Sequence, residues 1–354
     1  MTSRDDARLT KPTAADVAKL AGVSRSTVSR ALRGDPRISE EAQTRVRDAA
    51  ARVGYELKLR RQMPGAGKNR VGVVAGNLFN PFYPELVERL TERFEPEGID
   101  VLIASAPSDA FAGHAIRMLV DAGVGAIIFT AIPIHSDLLD TCERADVPAI
   151  LINRYVPGAR VLAIGCNNYV GAYSAVEWLL ENGHRRVAFI QGRVDTSTNI
   201  DRREGCRDAL AKWNLKPAAI VGGTEYSYEV GYRSVCRLLE DGDIPDAIFG
   251  ANDIIAIGAM DAVKVEGGLT VPGDVSVIGF DDIHIAAWPT YNLTTVKQPI
   301  ELMVETALAG VKQGIRDRSF HPSMQQLEGE LVIRGSARIA EAAAGDTESA
   351  GRSG

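Results

Sequence analysis

The sequence predicts a small all-α domain followed by a larger α/β body of two doubly wound parallel-sheet subdomains. Three observations lead there. The chain has 354 residues, too many for one ordinary domain and enough for two or three. Charge divides it: residues 1–70 hold 16 Lys and Arg against 8 Asp and Glu, a net +8, whereas the rest holds 24 against 38, a net −14. The apolar pattern changes near the same point, from helical spacing to short apolar runs separated by amphipathic stretches.

Composition removes several classes. Apolar residues make up 45% and charged residues 24%, the range of globular chains. No run of 18 uncharged apolar residues occurs, so no membrane partner is expected. The start MTSRDDARLT carries acid and lacks an apolar core, which does not read as a signal peptide. Cys142, Cys166, Cys206 and Cys236 form no CxxC pair and read as buried thiols of a cytoplasmic protein. The five histidines are scattered, so neither a metal site nor a cofactor is expected.

The basic head reads as three short helices. Thr13 can cap the first, which runs to about Leu20 with Val17, Ala18 and Leu20 on its apolar side. Ala21-Gly22-Val23 is a tight turn with glycine where positive φ is cheap. Ser24 caps a second helix, Arg25 to about Leu32, whose Val28, Ala31 and Leu32 lie at helical spacing. Gly34-Asp35-Pro36 breaks the chain. Ser39 then caps a third helix to about Val53, and Gly54 stops it. A helix, a glycine turn and a second helix that begins with polar residues form a helix-turn-helix. Its second helix fits a DNA major groove. Arginine can bond guanine twice, so Arg25 and Arg30 are candidate base readers, with Thr13, Ser24 and Ser29 on phosphates.

The run Thr13–Tyr55 contains DVAKLAGVS, TVSRAL and a GY after the third helix. At that spacing it resembles the headpiece of the lactose-repressor (LacI/GalR) family of bacterial transcription regulators. The resemblance implies that Arg25, Ser26 and Arg30 read bases and that a homodimer reads a near-palindromic operator in double-stranded DNA. It also implies a hinge that inserts an apolar side chain into the minor groove. Here the sequence departs from the family, with Leu57-Lys58 where Pro-Asn is usual and Met63-Pro64 at the wedge. Met63 or Pro64 is left as the apolar wedge, and Arg60 and Arg61 as phosphate contacts. Gly67-Lys68 is no P-loop, because Asn69 stands where Ser or Thr is needed and Gln62 where glycine is.

In the body, apolar runs recur at Val71–Ala75, Val101–Ser105, Ala126–Thr130, Ala149–Ile152, Val187–Gln191, Ala218–Val221, Ala247–Gly250 and Val275–Gly279. Between them lie amphipathic stretches such as Glu85–Phe94, Tyr169–Leu180, Tyr228–Leu239 and Asp253–Val265. This is the βαβ pattern of parallel sheets covered on both faces. Pro96 should end its helix early. A ligand of such a body binds at strand carboxyl ends, between the halves. Enzyme signatures are missing: no GxGxxG after the first strand, no GxSxG and no HExxH. Asp281-Asp282 reads more readily as a turn than as an acid/base pair. The chain is therefore expected not to be an enzyme. A sugar-binding protein without a regulatory role, or a sugar-modifying enzyme with an added head, is the alternative.

The body resembles the same family in Asn80-Pro81-Phe82-Tyr83, Val147-Pro148-Ala149, Gly183–Ile190, Ala251-Asn252-Asp253, Asp274–Ile283 and Leu293–Pro299. The resemblance implies a periplasmic-binding-protein-like fold around a small-molecule effector, a sugar or related polyol. It implies that Arg202 grips ligand oxygens, Asp281 accepts hydroxyl protons, Asn252 adds a polar contact and Tyr226 stacks on the ligand. Phe82, Thr130, Asn153 and Thr198 complete the wall. Taken singly, Asn252 equally reads as a helix cap, Phe82 as core and Arg202 as a solvated helix residue. The expected organisation is a headpiece at 1–55, a hinge and linker at 56–69, an effector and dimerisation domain at 70–340 and a disordered tail at 341–354. Within the body, residues 70–163 and 294–322 are assigned to one subdomain, and 164–293 and 323–338 to the other. No leucine heptad marks the tail, which favours a dimer over a tetramer.

Overall fold

A computed structural model of the chain describes residues 13–32, 37–53, 69–130, 136–317 and 322–340. They belong to two units, one within residues 1–61 and one within 62–354.

The first unit holds α1 (Ala14–Ala21), α2 (Arg25–Leu32) and α3 (Glu40–Val53). The Asp16 carboxylate accepts from both the backbone N–H and the hydroxyl of Thr13, each at 2.7 Å, which opens α1. Gly22 closes it at φ +66°, a left-handed conformation that a side chain would strain. The Ser24 hydroxyl accepts the Thr27 N–H at 3.1 Å, and Ser39 accepts that of Ala42 at 3.3 Å. Val17, Ala18, Ala21, Val28, Ala31, Val46, Ala49 and Ala50 merge into one small core. Leu20 departs from its expected place and is 49% exposed. At about 100° per residue the core arc runs from Val17 to Ala18, and Leu20 falls roughly 60° outside it.

The second unit alternates strands and helices. In chain order these are β1 (Arg70–Ala75), α4 (Phe82–Phe94), β2 (Asp100–Ser105), α5 (Asp109–Asp121), β3 (Ala126–Thr130), α6 (Ser136–Arg144), β4 (Ala149–Ile152) and β5 (Leu162–Cys166). Then come α7 (Asn168–Glu181), β6 (Val187–Gln191), α8 (Ser197–Lys212), β7 (Ala219–Gly222), α9 (Tyr228–Glu240), β8 (Ala247–Gly250), α10 (Asp253–Val265) and β9 (Ser276–Asp281). The last are β10 (Thr294–Lys297), α11 (Ile300–Asp317), β11 (Ser323–Leu327) and β12 (Glu330–Val332). Pro96 lies in a single 3₁₀ turn that ends α4, as its missing N–H requires.

Two six-stranded sheets result. One has the order β11-β5-β4-β3-β1-β2, the other β12-β10-β9-β8-β6-β7. All pairings are parallel except β10 with β12. The central strands are buried on both faces, as in β3 (AIIFT) and β8 (AIFG), because helices cover both sides. Buried His184 ties the second sheet to a helix end, with Nδ1 at 2.9 Å from the Leu179 carbonyl and Nε2 at 2.8 Å from the Ser276 hydroxyl.

The chain crosses between lobes three times, after β5, after β10 and after β11. Two of the expected boundaries are corrected. Residues 294–297 pair with β9 in the second lobe, not in the first, and residues 323–327 pair with β5 in the first lobe, not in the second. The boundary at 163/164 also cuts through β5. These strands are short, and β11 (SMQQL) is largely polar and part-exposed. β11 takes its sheet from β5, more than a hundred residues away, which no local pattern encodes.

The Gly22 turn makes a prediction. Gly22→Ala should weaken the three-helix unit by about 1 kcal/mol, speeding amide exchange in α1 and α2 roughly fivefold. Exchange measured on the full chain checks it, and unchanged protection would contradict the strain.

Candidate functional site

Two surfaces concentrate polar chemistry, one on each unit. On the first, Arg25, Ser26 and Arg30 are exposed on α2, while Val28 and Ala31 face inward. Positions 25, 26 and 30 fall within about 140° of arc, so they share one face of the helix. The Ser24 hydroxyl sits at its start, 2.7 Å from Ser26 Oγ and 2.8 Å from Thr27 Oγ1. Thr13 is exposed, but its hydroxyl and N–H both donate to Asp16. Those bonds, the hydroxyl's first, hold the Asp16 carboxyl below its usual range. A phosphate at Thr13 must therefore compete with Asp16. Arg60, Arg61 and Met63 lie outside the described residues, as do most of the hinge and the tail.

The second site forms where strands of both lobes end. Arg202, on α8, is 2% exposed and not a solvated helix residue. Its Nε donates to Asn168 Oδ1 at 2.8 Å, its Nη1 to the Ala251 carbonyl and its Nη2 to Asp281 Oδ1 at 3.3 Å. The guanidinium lies 3.6 Å from the centre of the Phe280 ring. Most of its donor capacity is thus spent inside the second lobe, where it fixes Asp281.

Asp281 ends β9. It also accepts from Gln298 Nε2 at 2.7 Å and from Asn252 Nδ2 at 3.4 Å. Burial pushes its pKa up, and Arg202, Gln298 and Asn252 pull against that rise. Asn252 does two jobs, since its Oδ1 also caps α10 by accepting the Ile255 N–H at 3.2 Å. Behind this group sits fully buried Asp253, which accepts from the Thr295 hydroxyl and from the Ile283 N–H at 2.9 Å. Burial, then the neighbouring Asp281, raises its pKa to about 8.

Tyr226 stands upright on a hydroxyl cluster, with its OH 2.9 Å from Thr198 Oγ1 and 3.1 Å from Thr196 Oγ1. Thr198 therefore positions Tyr226. The ring lies so close to Gly192 that a Cβ there would come within 2.4 Å of it. In the first lobe, Asn153 follows β4, and its Nδ2 donates to the Tyr83 hydroxyl at 3.1 Å. Thr130 ends β3 beside it. Phe82 is 1% exposed and edge-on to Tyr83 at 5.3 Å, so it serves the core as much as any wall. Asn153 at φ +70° and Asp281 at φ +124° are both left-handed without being glycine, a strain that collects at working sites.

The lobes meet here. The Tyr155 backbone N–H donates to Ser197 Oγ at 3.1 Å, and its hydroxyl donates to Asp201 Oδ1 at 3.0 Å. Buried Tyr83 has its pKa raised by desolvation, and Arg154, Asp281 and Tyr226 all act on its charge. The structure thus joins Arg202, Asp281 and Asn252 directly, Thr198 to Tyr226, and Asn153 to Tyr83. Sequence reading missed Tyr83, Arg154, Asn168 and Gln298. Two signals were available: Arg154 directly follows Asn153 at a strand end, and Gln298 directly follows β10. Thr130 Oγ1, Asn153 Oδ1, Gln298 Oε1 and Arg154 Nε and Nη1 are buried with no partner among the described residues. Buried polar atoms of both kinds, gathered at strand ends between lobes, suit a small ligand rich in hydroxyls. No group of three or more His, Cys, Asp or Glu among the described residues could hold a metal.

Two measurements test this geometry. Arg202→Ala strands a buried carboxylate and should cost about 3–5 kcal/mol of stability, read by urea unfolding. A loss near zero would remove the residue from the knot. The second concerns pH. The folded chain keeps the Asp253 proton to about pH 8, while an unfolded Asp releases it near 3.8. Its contribution to stability is complete below the lower value and is lost as pH rises through the upper one. The Tm of the wild type should therefore fall more steeply than that of Asp253→Asn as pH rises through that window. Parallel curves would show that Asp253 ionises normally.

Comparison with known proteins places the chain. Residues 13–56 match the family described as bacterial regulatory proteins, lacI family, and residues 176–337 match a periplasmic binding protein-like domain. The chain is 32% identical over 330 residues to the HTH-type transcriptional regulator AscG of Escherichia coli (strain K12), covering 91% of this chain and 97% of that one. It is 29% identical to the HTH-type transcriptional repressor PurR of Aliivibrio salmonicida (strain LFI1238), covering 90% and 97%. Among solved structures, the lac repressor dimer bound to operator and the anti-inducer ONPF superposes with a TM-score of 0.70 at 26% identity, over 92% of this chain and 99% of that one. The complex of the transcriptional regulator CelR with cellobiose gives 0.70 at 28%, over 92% and 100%. With its helix-turn-helix unit and its two-lobed body both accounted for, the chain belongs to the LacI family of bacterial regulatory proteins.

Proposed function

We propose that the chain is a cytoplasmic repressor that binds a near-palindromic operator as a homodimer and is controlled by a small molecule in the interlobe cleft. One observation carries this reading. A single chain joins a helix-turn-helix whose exposed face bears Arg25 and Arg30 to a two-lobed body with unpartnered buried polar atoms between the lobes. The mechanism is linkage. The effector favours one arrangement of the lobes, and operator DNA favours one arrangement of two heads. Each ligand changes the affinity for the other by the same factor. Tyr155 stabilises the arrangement in which the lobes touch, through Ser197 and Asp201. A regulator is favoured over an enzyme because the buried carboxylates Asp253 and Asp281 are engaged in bonds within their own lobe. The effector class the cleft fits is a sugar or related polyol, and the relative solved with cellobiose supports that choice.

Selection of genomic DNA fragments by the purified protein, with and without a cell metabolite extract, tests the reading. Recovery of a near-palindromic site whose occupancy differs between the two arms is expected. No selective binding in either arm would overturn it. At the level of one residue, Arg30→Ala should cost about 1–3 kcal/mol of discrimination between the operator and a site altered at the contacted base. Competition gel shifts measure this, and an unchanged preference would remove Arg30 from base reading.

A further inference from the structure

The chain passes between the lobes three times, and the three crossings touch. A Cβ at Gly329, in the third crossing, would lie 2.9 Å from Cys166 Sγ at the first and 3.0 Å from the Lys297 carbonyl at the second. Any change in the angle between the lobes must bend these segments, so a group that holds them also holds the angle.

Two of the crossings are bonded to the Arg202–Asp281 pair. Asn168, 4% exposed, opens α7 just past the first crossing. Its Oδ1 accepts from Arg202 Nε at 2.8 Å. Its Nδ2 donates at 3.0 Å to the carbonyl of Cys166, the last residue of β5. Cys166 pairs with Leu327 of β11 in the first sheet. One side-chain amide therefore joins the first sheet to the guanidinium of the second lobe. Gln298 does the same at the second crossing. Its Nε2 donates to Asp281 Oδ1 at 2.7 Å. Its backbone carbonyl accepts the N–H of Ile300, the first residue of α11, at 2.9 Å. α11 packs on β3, β4 and β5 of the first sheet. Arg202 Nη2 and Asp281 Oδ1 close the circuit at 3.3 Å. A continuous path of bonds thus leaves the first lobe at Cys166, runs through Asn168, Arg202, Asp281 and Gln298, and returns to the first lobe at α11.

We infer that Asn168 and Gln298 are positioning residues that couple the Arg202–Asp281 pair to the crossings, so that a ligand drawing on the pair resets the angle between the lobes. This rests on the linkage reading of the cleft and names the residues through which that linkage acts.

Hydrogen exchange of the ligand-free full chain, resolved to single amides, tests the coupling. The Tyr155 N–H reports contact between the lobes, because it donates to Ser197 Oγ across the gap. The amides paired between β6 and β8 report the core of the second lobe. Asn168→Asp keeps an acceptor for Arg202 and loses the donor to Cys166. It should speed exchange at Tyr155 about five- to tenfold, the worth of one hydrogen bond, and leave β6 and β8 at wild-type rates. Gln298→Met, which loses the donor to Asp281, should give the same pattern. A residue needed only to satisfy the pair would leave Tyr155 unchanged when Asp replaces Asn168. One needed only for the fold would speed β6 and β8 as much as Tyr155. Either result overturns the inference. Operator binding gives a second readout. On DNA fragments selected from the genome, Asn168→Asp should still bind, and the ratio of its affinities with and without a cell metabolite extract should move several-fold towards one. An unchanged ratio would also overturn the coupling. Should the wild type select no DNA, the linkage reading falls, while the exchange rates still decide whether Asn168 joins the pair to the crossings.

Discussion

A guanidinium taken out of water must meet partners for most of its donors, or the lobe that buries it loses several kcal/mol. Arg202 imposes that constraint on the second lobe. Its partners come from the start of α7, from the β8–α10 junction and from the end of β9. The Phe280 ring covers its face. Four elements are therefore aligned by a single side chain from α8. Asn252 and Gln298 are in turn placed by the carboxylate that Arg202 holds. The floor of the cleft is built before any ligand arrives, and its cost is met within the fold.

The first lobe is organised differently. Thr130, Asn153 and Arg154 sit at neighbouring strand ends with polar atoms left unmatched among the described residues. Gln298 Oε1 is the matching open acceptor on the second lobe. A ligand that meets open atoms of both lobes makes contacts that depend on how the lobes are arranged, which is what linkage requires. Tyr155 is the protein's own bridge across the same gap, and it makes contact between the lobes accessible without depending wholly on the ligand.

Local chemistry was readable in the sequence and long-range pairing was not. Thr13, Gly22, Ser24 and Ser39 act where their cap and turn preferences place them. Apolar runs such as Ala126–Thr130 and Ala247–Gly250 became the strands they predict. The exchange of β10 and β11 between lobes was hidden, because a four- or five-residue strand carries no mark of the sheet it will join. At the cleft, the side chains that recur in strand-end motifs, Arg202, Asn252 and Asp281, were found through resemblance to a family. Arg154 was passed over because nothing in an arginine's immediate sequence says which of its donors will be matched once the chain folds.

The three crossings between lobes have a consequence for how such chains can diversify. Each lobe is assembled from separated stretches of sequence, since β11 returns to the first lobe after β10 has been given to the second. A single recombination event within the body therefore cannot exchange one lobe for another intact. It would deliver strands to a sheet whose remaining strands came from a different parent. The helix-turn-helix unit is one contiguous piece within residues 1–61 and carries no such restriction. DNA specificity can be acquired in one genetic step as a block, whereas the cleft must change residue by residue.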